Sequence, residues 1–223
     1  MKKKFIYVLV IILLLGVSVG CKNNKSALAF KEDYESVNDK ENKSGKKHRS
    51  VTIDENNPYE NISTDDLVKK IENKETFYVY FGDKLCPWCR SVIEKSIEVA
   101  KEKNIKKIYY IPIWDDEGNE IVRDKYEMID GNLSKTVEGD KNYSKLLEYF
   151  NDLLKDYTVN DSNGNKVEVG EKRIFAPNYI YIENGVAKSL ITGISDKQTD
   201  SREELTKEML EDEEKAFKDF FAN

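Results

Sequence analysis

Three cysteines occur in the 223-residue chain, and two of them, Cys86 and Cys89, stand three apart in the stretch YVYFGDKLCPWCRSVIEK (78–95). A Cys-x-x-Cys pair can be a dithiol redox centre, half of a metal site, or a structural disulfide. A structural zinc ion takes four ligands, most often Cys or His. Downstream of residue 62 there is no further cysteine and no histidine, so the usual second ligand pair is missing and only carboxylates could fill in. A disulfide across so short a loop removes little chain entropy, which makes stabilisation a poor reason for the spacing. The redox use explains the spacing, provided one sulfur is activated and the other is held behind it.

The flanking residues arrange that. TFYVYFG (76–82) is dense in β-branched and aromatic residues and predicts a buried strand. Pro87 suits the first turn of a helix. Cys89, Val92, Ile93, Ile97 and Ala100 recur at spacings of three and four, which predicts one apolar helix face to about residue 104. Cys86 then falls at the helix N-terminus, where free N–H groups and the dipole favour a thiolate. Lys84 and Arg90 push the same way, and Asp83 opposes. Cys89, one turn on, lies on the buried face. The pattern predicts an exposed attacking thiol and a covered resolving thiol.

The rest of the domain follows from the same rules. Ser63 caps a helix whose first turn carries Asp65 and Asp66 and whose buried stripe is Leu67, Val68 and Ile71. KIYYIPI (107–113) predicts a strand. Tyr143, Leu146, Leu147, Phe150, Leu153, Leu154 and Tyr157 predict an amphipathic helix over 143–157. Hairpins are expected at 157–169, turning at Asn163-Gly164, and at 178–193, turning at Asn184-Gly185. SREE (201–204) is a capping box and predicts the start of the last helix. Residues 63–223 are thus expected to form one α/β domain.

The beginning of the chain has a different character. Lys2–Lys4 precede an apolar run from Phe5 to Leu15, which predicts an export signal over 1–20. The run is short of the ~20 residues that span a bilayer. Residues 22–62 balance basic and acidic side chains without sustained apolar periodicity, and they are expected to be a disordered tether. The formal net charge is −6 and becomes more negative once the lysines of the signal are removed. That argues against nucleic acid as a partner, since phosphate binding needs a basic face.

Two resemblances complete the reading. Gly20 directly before Cys21 resembles a bacterial lipoprotein processing site, although Ser18 stands where that motif usually has Leu. It implies a lipid (palmitate-type acyl chains) on Cys21, a membrane anchor, and an extracytoplasmic location. Ser18-Val19-Gly20 also suits ordinary signal cleavage, which would leave Cys21 a free thiol. YFGDKLCPWC at the end of a strand and before a helix, followed by RIFAPNYIYIENGV (173–186), resembles the thioredoxin superfamily. That resemblance implies a thioredoxin-like α/β fold with a helical and hairpin insertion at about 114–172, between the second strand and the cis-proline strand. It makes Pro177 the cis-proline, with Ala176 facing the cysteines, and it makes Pro87 and Trp88 contacts for substrate. The family commonly has a buried acid six residues before its first cysteine; here that position is Tyr80.

A lipid-anchored member looks like the thioredoxin-like lipoproteins of Gram-positive envelopes. The implied activity is thiol–disulfide exchange by Cys86 and Cys89, without cofactor or metal. The implied partners are envelope protein thiols or disulfides and a membrane redox donor or acceptor. Copper chaperones also place such a pair between strand and helix, but no Met stands before Cys86 where their motif has one. The direction of electron flow stays open. So does a non-enzymatic alternative, a thioredoxin-like scaffold that binds a partner, including an accessory role in bacteriocin export.

Overall fold

The structure is a computed structural model that describes residues 25–223. The expected signal (1–20) and Cys21 lie outside the described residues. The elements in chain order are helix α1 (25–35), β1 (Tyr59–Asn61), α2 (Thr64–Glu72), β2 (Phe77–Gly82), α3 (Pro87–Glu102), β3 (Ile108–Pro112), β4 (Lys125–Ile129), β5 (Asn132–Val137), α4 (Tyr143–Phe150), β6 (Lys155–Asn160), β7 (Lys166–Arg173), β8 (Asn178–Glu183), β9 (Val186–Ile191) and α5 (Lys207–Phe220).

A five-stranded sheet in the order β1-β3-β2-β8-β9 forms the centre. β3 runs parallel to both β1 and β2, whereas β8 is antiparallel to β2 and β9. A parallel start joined to an antiparallel hairpin, with the Cys-x-x-Cys helix following the central strand, is the thioredoxin-like α/β arrangement. All six residues of β2 are buried, as a central strand covered on both faces requires.

Side-chain alternation divides the strands between two cores. Tyr78, Tyr80, Tyr110, Tyr179 and Tyr181 face one layer, which holds Cys89, Val92, Ile93 and Ile97 of α3 together with Phe217 and Phe220 of α5. Phe77, Val79, Phe81, Ile111, Ile180 and Ile182 face the other, which holds Leu67 and Ile71 of α2 and Leu146 and Phe150 of α4. One face is therefore aliphatic and phenylalanine-rich, and the face under the cysteines is built of tyrosines.

Three expectations are corrected. Residues 25–62 are not a disordered tether: Phe30, Tyr34, Val51, Ile53 and Tyr59 are almost fully buried in the tyrosine-lined core. Ala27, Phe30, Tyr34 and Val37 recur at spacings of three and four, so a short buried stripe lies within a charge-rich stretch that masks it. The helix expected over 143–157 ends at Phe150, passes through a single 3-10 turn (Asn151–Leu153), and is followed by β6 from Lys155. Leu154 and Tyr157 are buried from extended chain, which a short apolar run cannot distinguish from a helix. The last helix starts at Lys207, capped by Thr206, whose Oγ1 accepts from the Met209 N–H at 3.3 Å. The Glu203 carboxylate instead accepts the N–H groups of Thr199 and Asp200 and closes a turn.

Between β3 and β8 the chain carries two separate hairpins, β4–β5 and β6–β7, with α4 between them. Among the described residues, no helix is long and apolar enough to cross a membrane.

Candidate active site

The site forms where β2 gives way to α3. Asp83, 2 % exposed, organises the turn. Its Oδ1 accepts the Leu85 N–H at 2.8 Å, and its carbonyl accepts the Cys86 N–H at 3.2 Å. Its Oδ2 accepts the Trp114 N–H at 3.2 Å, which ties the turn to the chain leaving β3. Burial pushes the Asp83 carboxyl up to about 7, against the pull of those two N–H groups.

Cys86 is the N-cap of α3, with extended backbone and Pro87 in the first helical position. Its sulfur accepts the Cys89 N–H at 3.3 Å, a cap made by sulfur instead of oxygen. Cys89 is fully buried one turn on. Burial, reinforced by the neighbouring Cys86, pushes the Cys89 thiol well above its ordinary range, while the Tyr80 hydroxyl and the backbone at Asp83 pull it down.

Across from Cys86 lies the chain entering β8, where the Ala176–Pro177 peptide is cis. Cys86 Sγ lies 3.7 Å from the carbonyl oxygen of Ala176. That segment is held from both sides. Arg123 donates to the Ile174 carbonyl, the Phe175 N–H donates to Asn178 Oδ1 at 2.8 Å, and Asn178 Nδ2 donates to the Pro177 carbonyl at 2.9 Å. Trp88, Phe175, Ala176, Pro177, Ile194 and Gln198 line an open groove of about 350 Å³ beside the cysteines. The structure thus gathers Cys86, Cys89, Trp88, Ala176 and Pro177 at one end of the sheet, with Pro87 in the same turn.

Three site expectations change. Cys86 is not openly exposed: 3 % of it is accessible. Lys84 is not a free charge beside the cysteines: its ammonium is paired with Asp33 at 2.6 Å and Asp116 at 2.5 Å. Arg90 is fully buried, and its guanidinium donates to the carbonyls of Tyr34, Arg49 and Lys84 and to Asn38 Oδ1. Tyr34, Asn38 and Arg49 belong to the segment expected to be a tether, so sequence windows around the cysteines could not reveal these partners. Among the described residues, no group of three or more His, Cys, Asp or Glu side chains could hold a metal ion.

No protein-family model matches the chain, and no curated protein sequence does. Among solved structures, thioredoxin O2 from Arabidopsis thaliana in the oxidized state is 14% identical, covering 62% of this chain and 85% of that one, with a TM-score of 0.33. A thioredoxin-fold protein from Helicobacter pylori is 16% identical, covering 68% of this chain and 86% of that one, with a TM-score of 0.25. The strand order and the Cys-x-x-Cys turn define the fold class.

Proposed function

We propose that the chain is a thiol–disulfide oxidoreductase that exchanges disulfides with protein substrates outside the cytoplasm, anchored to the membrane by lipid on Cys21. The observation that carries this reading is the geometry of Cys86, whose sulfur sits at a helix N-terminus, accepts the Cys89 N–H at 3.3 Å, and faces the Ala176 carbonyl beside an open groove. In the reducing direction, the Cys86 thiolate attacks a substrate disulfide, one substrate sulfur leaves, and Cys89 then displaces the other to close Cys86–Cys89. The oxidising direction is the reverse. The sulfurs carry both electrons, so the reaction calls for no organic cofactor. An envelope protein disulfide or dithiol is the substrate class, and a membrane redox partner resets the pair.

The test is mixed-disulfide trapping in cells with the full chain. Cys89→Ser should accumulate disulfide-linked envelope proteins that disappear on adding a reductant, and Cys86→Ser should not. Absence of any adduct in the Cys89 variant would refute exchange and leave a partner-binding scaffold. A glutathione titration of the full chain in detergent, read by tryptophan fluorescence, then gives the direction. A potential of about −270 mV marks a reductase and about −120 mV an oxidant, whereas a value below about −300 mV marks a structural bond.

A further inference from the structure

Cys89 poses a chemical problem that Cys86 does not. To close the disulfide it must lose its proton while fully buried, where a bare thiolate is disfavoured. The nearby carboxyl of Asp83 accepts the N–H groups of Leu85 and Trp114, which hold it in the turn. Tyr80 is fully buried in the same core cluster as Cys89, and its hydroxyl pulls the Cys89 thiol down.

Several observations aim the Tyr80 hydroxyl at that place. Tyr80 and Gly82 point to the same face of β2, and a Cβ added at Gly82 would fall 2.0 Å from Tyr80 Cζ and 2.1 Å from Tyr80 Oη. The ring therefore runs along the strand towards its C-terminal end, where α3 begins, and the hydroxyl fills the space a side chain at 82 would take. Tyr110 and Tyr179 flank Tyr80 in register on the neighbouring strands. Their rings stack on it with centroids 5.5 Å and 4.4 Å away, at 21° and 17°, which fixes its plane. From α1, Tyr34 Oη comes within 2.8 Å of Tyr80 Oη. Either hydroxyl can donate in that pair; with Tyr34 as the donor, the Tyr80 O–H is free to donate elsewhere.

We propose that Tyr80 is the catalytic hydrogen-bond donor to the Cys89 sulfur in the resolving step, with Tyr34 and Gly82 as its positioning residues. The inference rests on the thiol–disulfide reading above and deepens it. In the mixed disulfide, Cys89 gives up its proton and its sulfur attacks Cys86 Sγ. The Cys86–Cys89 bond forms, and the bond from Cys86 to the substrate sulfur breaks. The substrate thiolate leaves with the electron pair and takes up the released proton. Tyr80 keeps its proton and solvates the sulfur charge while it exists, and the Tyr34 O–H polarises that donor through the chain. Among the described residues, Tyr34, Tyr59, Tyr80, Tyr110, Tyr179 and Cys86 are titratable groups that feel the Cys89 charge, and Asp83 is the carboxyl at the same turn.

Two measurements on the reduced full chain in detergent test this. The first is a pH titration of ¹³Cβ-labelled Cys89; the second is the two-phase release of thionitrobenzoate after reaction with Ellman's reagent, whose second phase is Cys89 attacking the Cys86 adduct. Tyr80→Phe should raise the Cys89 pKa by about one unit and slow the second phase roughly tenfold relative to the first near neutral pH, with recovery as pH rises. Tyr34→Phe should shift both readouts the same way by less, and it serves as the test if Tyr80→Phe fails to fold. An unchanged Cys89 titration and second phase in these variants would overturn the proposal, even if Cys89→Ser traps envelope proteins. If both shifts appear but no envelope adduct is ever trapped, the hydrogen bond stands and the thiol–disulfide reading falls.

Discussion

Cys86 Sγ and the Ala176 carbonyl oxygen lie 3.7 Å apart although 90 residues separate them in the chain. The contact closes the site between two elements of opposite sheet direction, β2 and β8, paired from Phe77↔Ile182 to Phe81↔Asn178. It also puts the groove along Trp88, Phe175 and Pro177 next to the attacking sulfur. A peptide bound there would meet sulfur and backbone together.

Trp88 is half-buried at the groove edge and packs against the core. Trp88→Ala should therefore weaken exchange with protein disulfides about tenfold, the cost of one lost aromatic contact. Exchange with small disulfides, which need no groove, should change far less. Parallel rates with a protein disulfide and with oxidised glutathione check this.

Asp83 contributes a pH dependence to stability. Its folded-state carboxyl titrates at about 7, well above its unfolded value. The folded chain therefore holds the proton more tightly, so stability is fully present below about pH 4 and is lost as pH rises through 7. Asp83→Asn should remove its share of that slope, making urea midpoints less dependent on pH between about 4 and 7 while the share of Glu213 remains. The amide nitrogen cannot accept, so one of the two side-chain contacts to a backbone N–H is lost.

Glu213 on α5 is fully buried, and among the described residues neither carboxylate oxygen has a hydrogen-bond partner. Burial pushes its carboxyl up to about 7, against the charges of Lys95 and Arg49. The sign is the same: the folded state loses stability as pH rises through 7. Glu213→Gln should raise stability at pH 8 by about 1 kcal/mol and leave it little changed near pH 4, as thermal melts at the two pH values would show.

Phe30 tests the packing of the N-terminal segment. It stacks on Tyr59 with centroids 4.3 Å apart and meets Tyr110 edge-on at 5.0 Å. Phe30→Ala should cost about 3–5 kcal/mol in denaturant unfolding, the scale of a large core truncation. A disordered tether would show no change.

Gly185 tests the β8–β9 turn. Asn184 and Gly185 both have positive φ, and a Cβ at Gly185 would fall 2.3 Å from the Ile71 carbonyl oxygen. The Gly185 N–H also donates to the Glu75 carbonyl at 3.0 Å. Gly185→Ala should destabilise the fold by about 2 kcal/mol or more, since the backbone cannot yield to relieve the clash. A shift in the chemical denaturation midpoint measures it.

Much of this protein was legible in its sequence because the information was local. The Ser63 cap, the buried strand 77–82, Pro87 opening α3, and the Asn184-Gly185 turn each depend on a few adjacent side chains and on backbone preferences that act within one turn. The placement of Cys89 on the inner face followed from helical period alone. Where windows misled, the signal was ambiguous at short range: Leu153, Leu154 and Tyr157 fit a helix period yet fall in a turn, the extended residue after it and a strand, and Ser201–Glu204 has the composition of a cap without opening a helix.

Only the tertiary structure decided who meets whom at long range. Arg90 could be read as a charge beside the cysteines, but its guanidinium is consumed by Tyr34, Asn38 and Arg49, 56, 52 and 41 residues away. Tyr80 could be read as the loss of an acid, but its hydroxyl is aimed by the missing side chain of Gly82 and met by Tyr34 from α1. Backbone propensity acts over a few residues, whereas the desolvation of a buried charge or hydroxyl is answered by whichever partner the fold brings near, and sequence spacing carries no record of that partner.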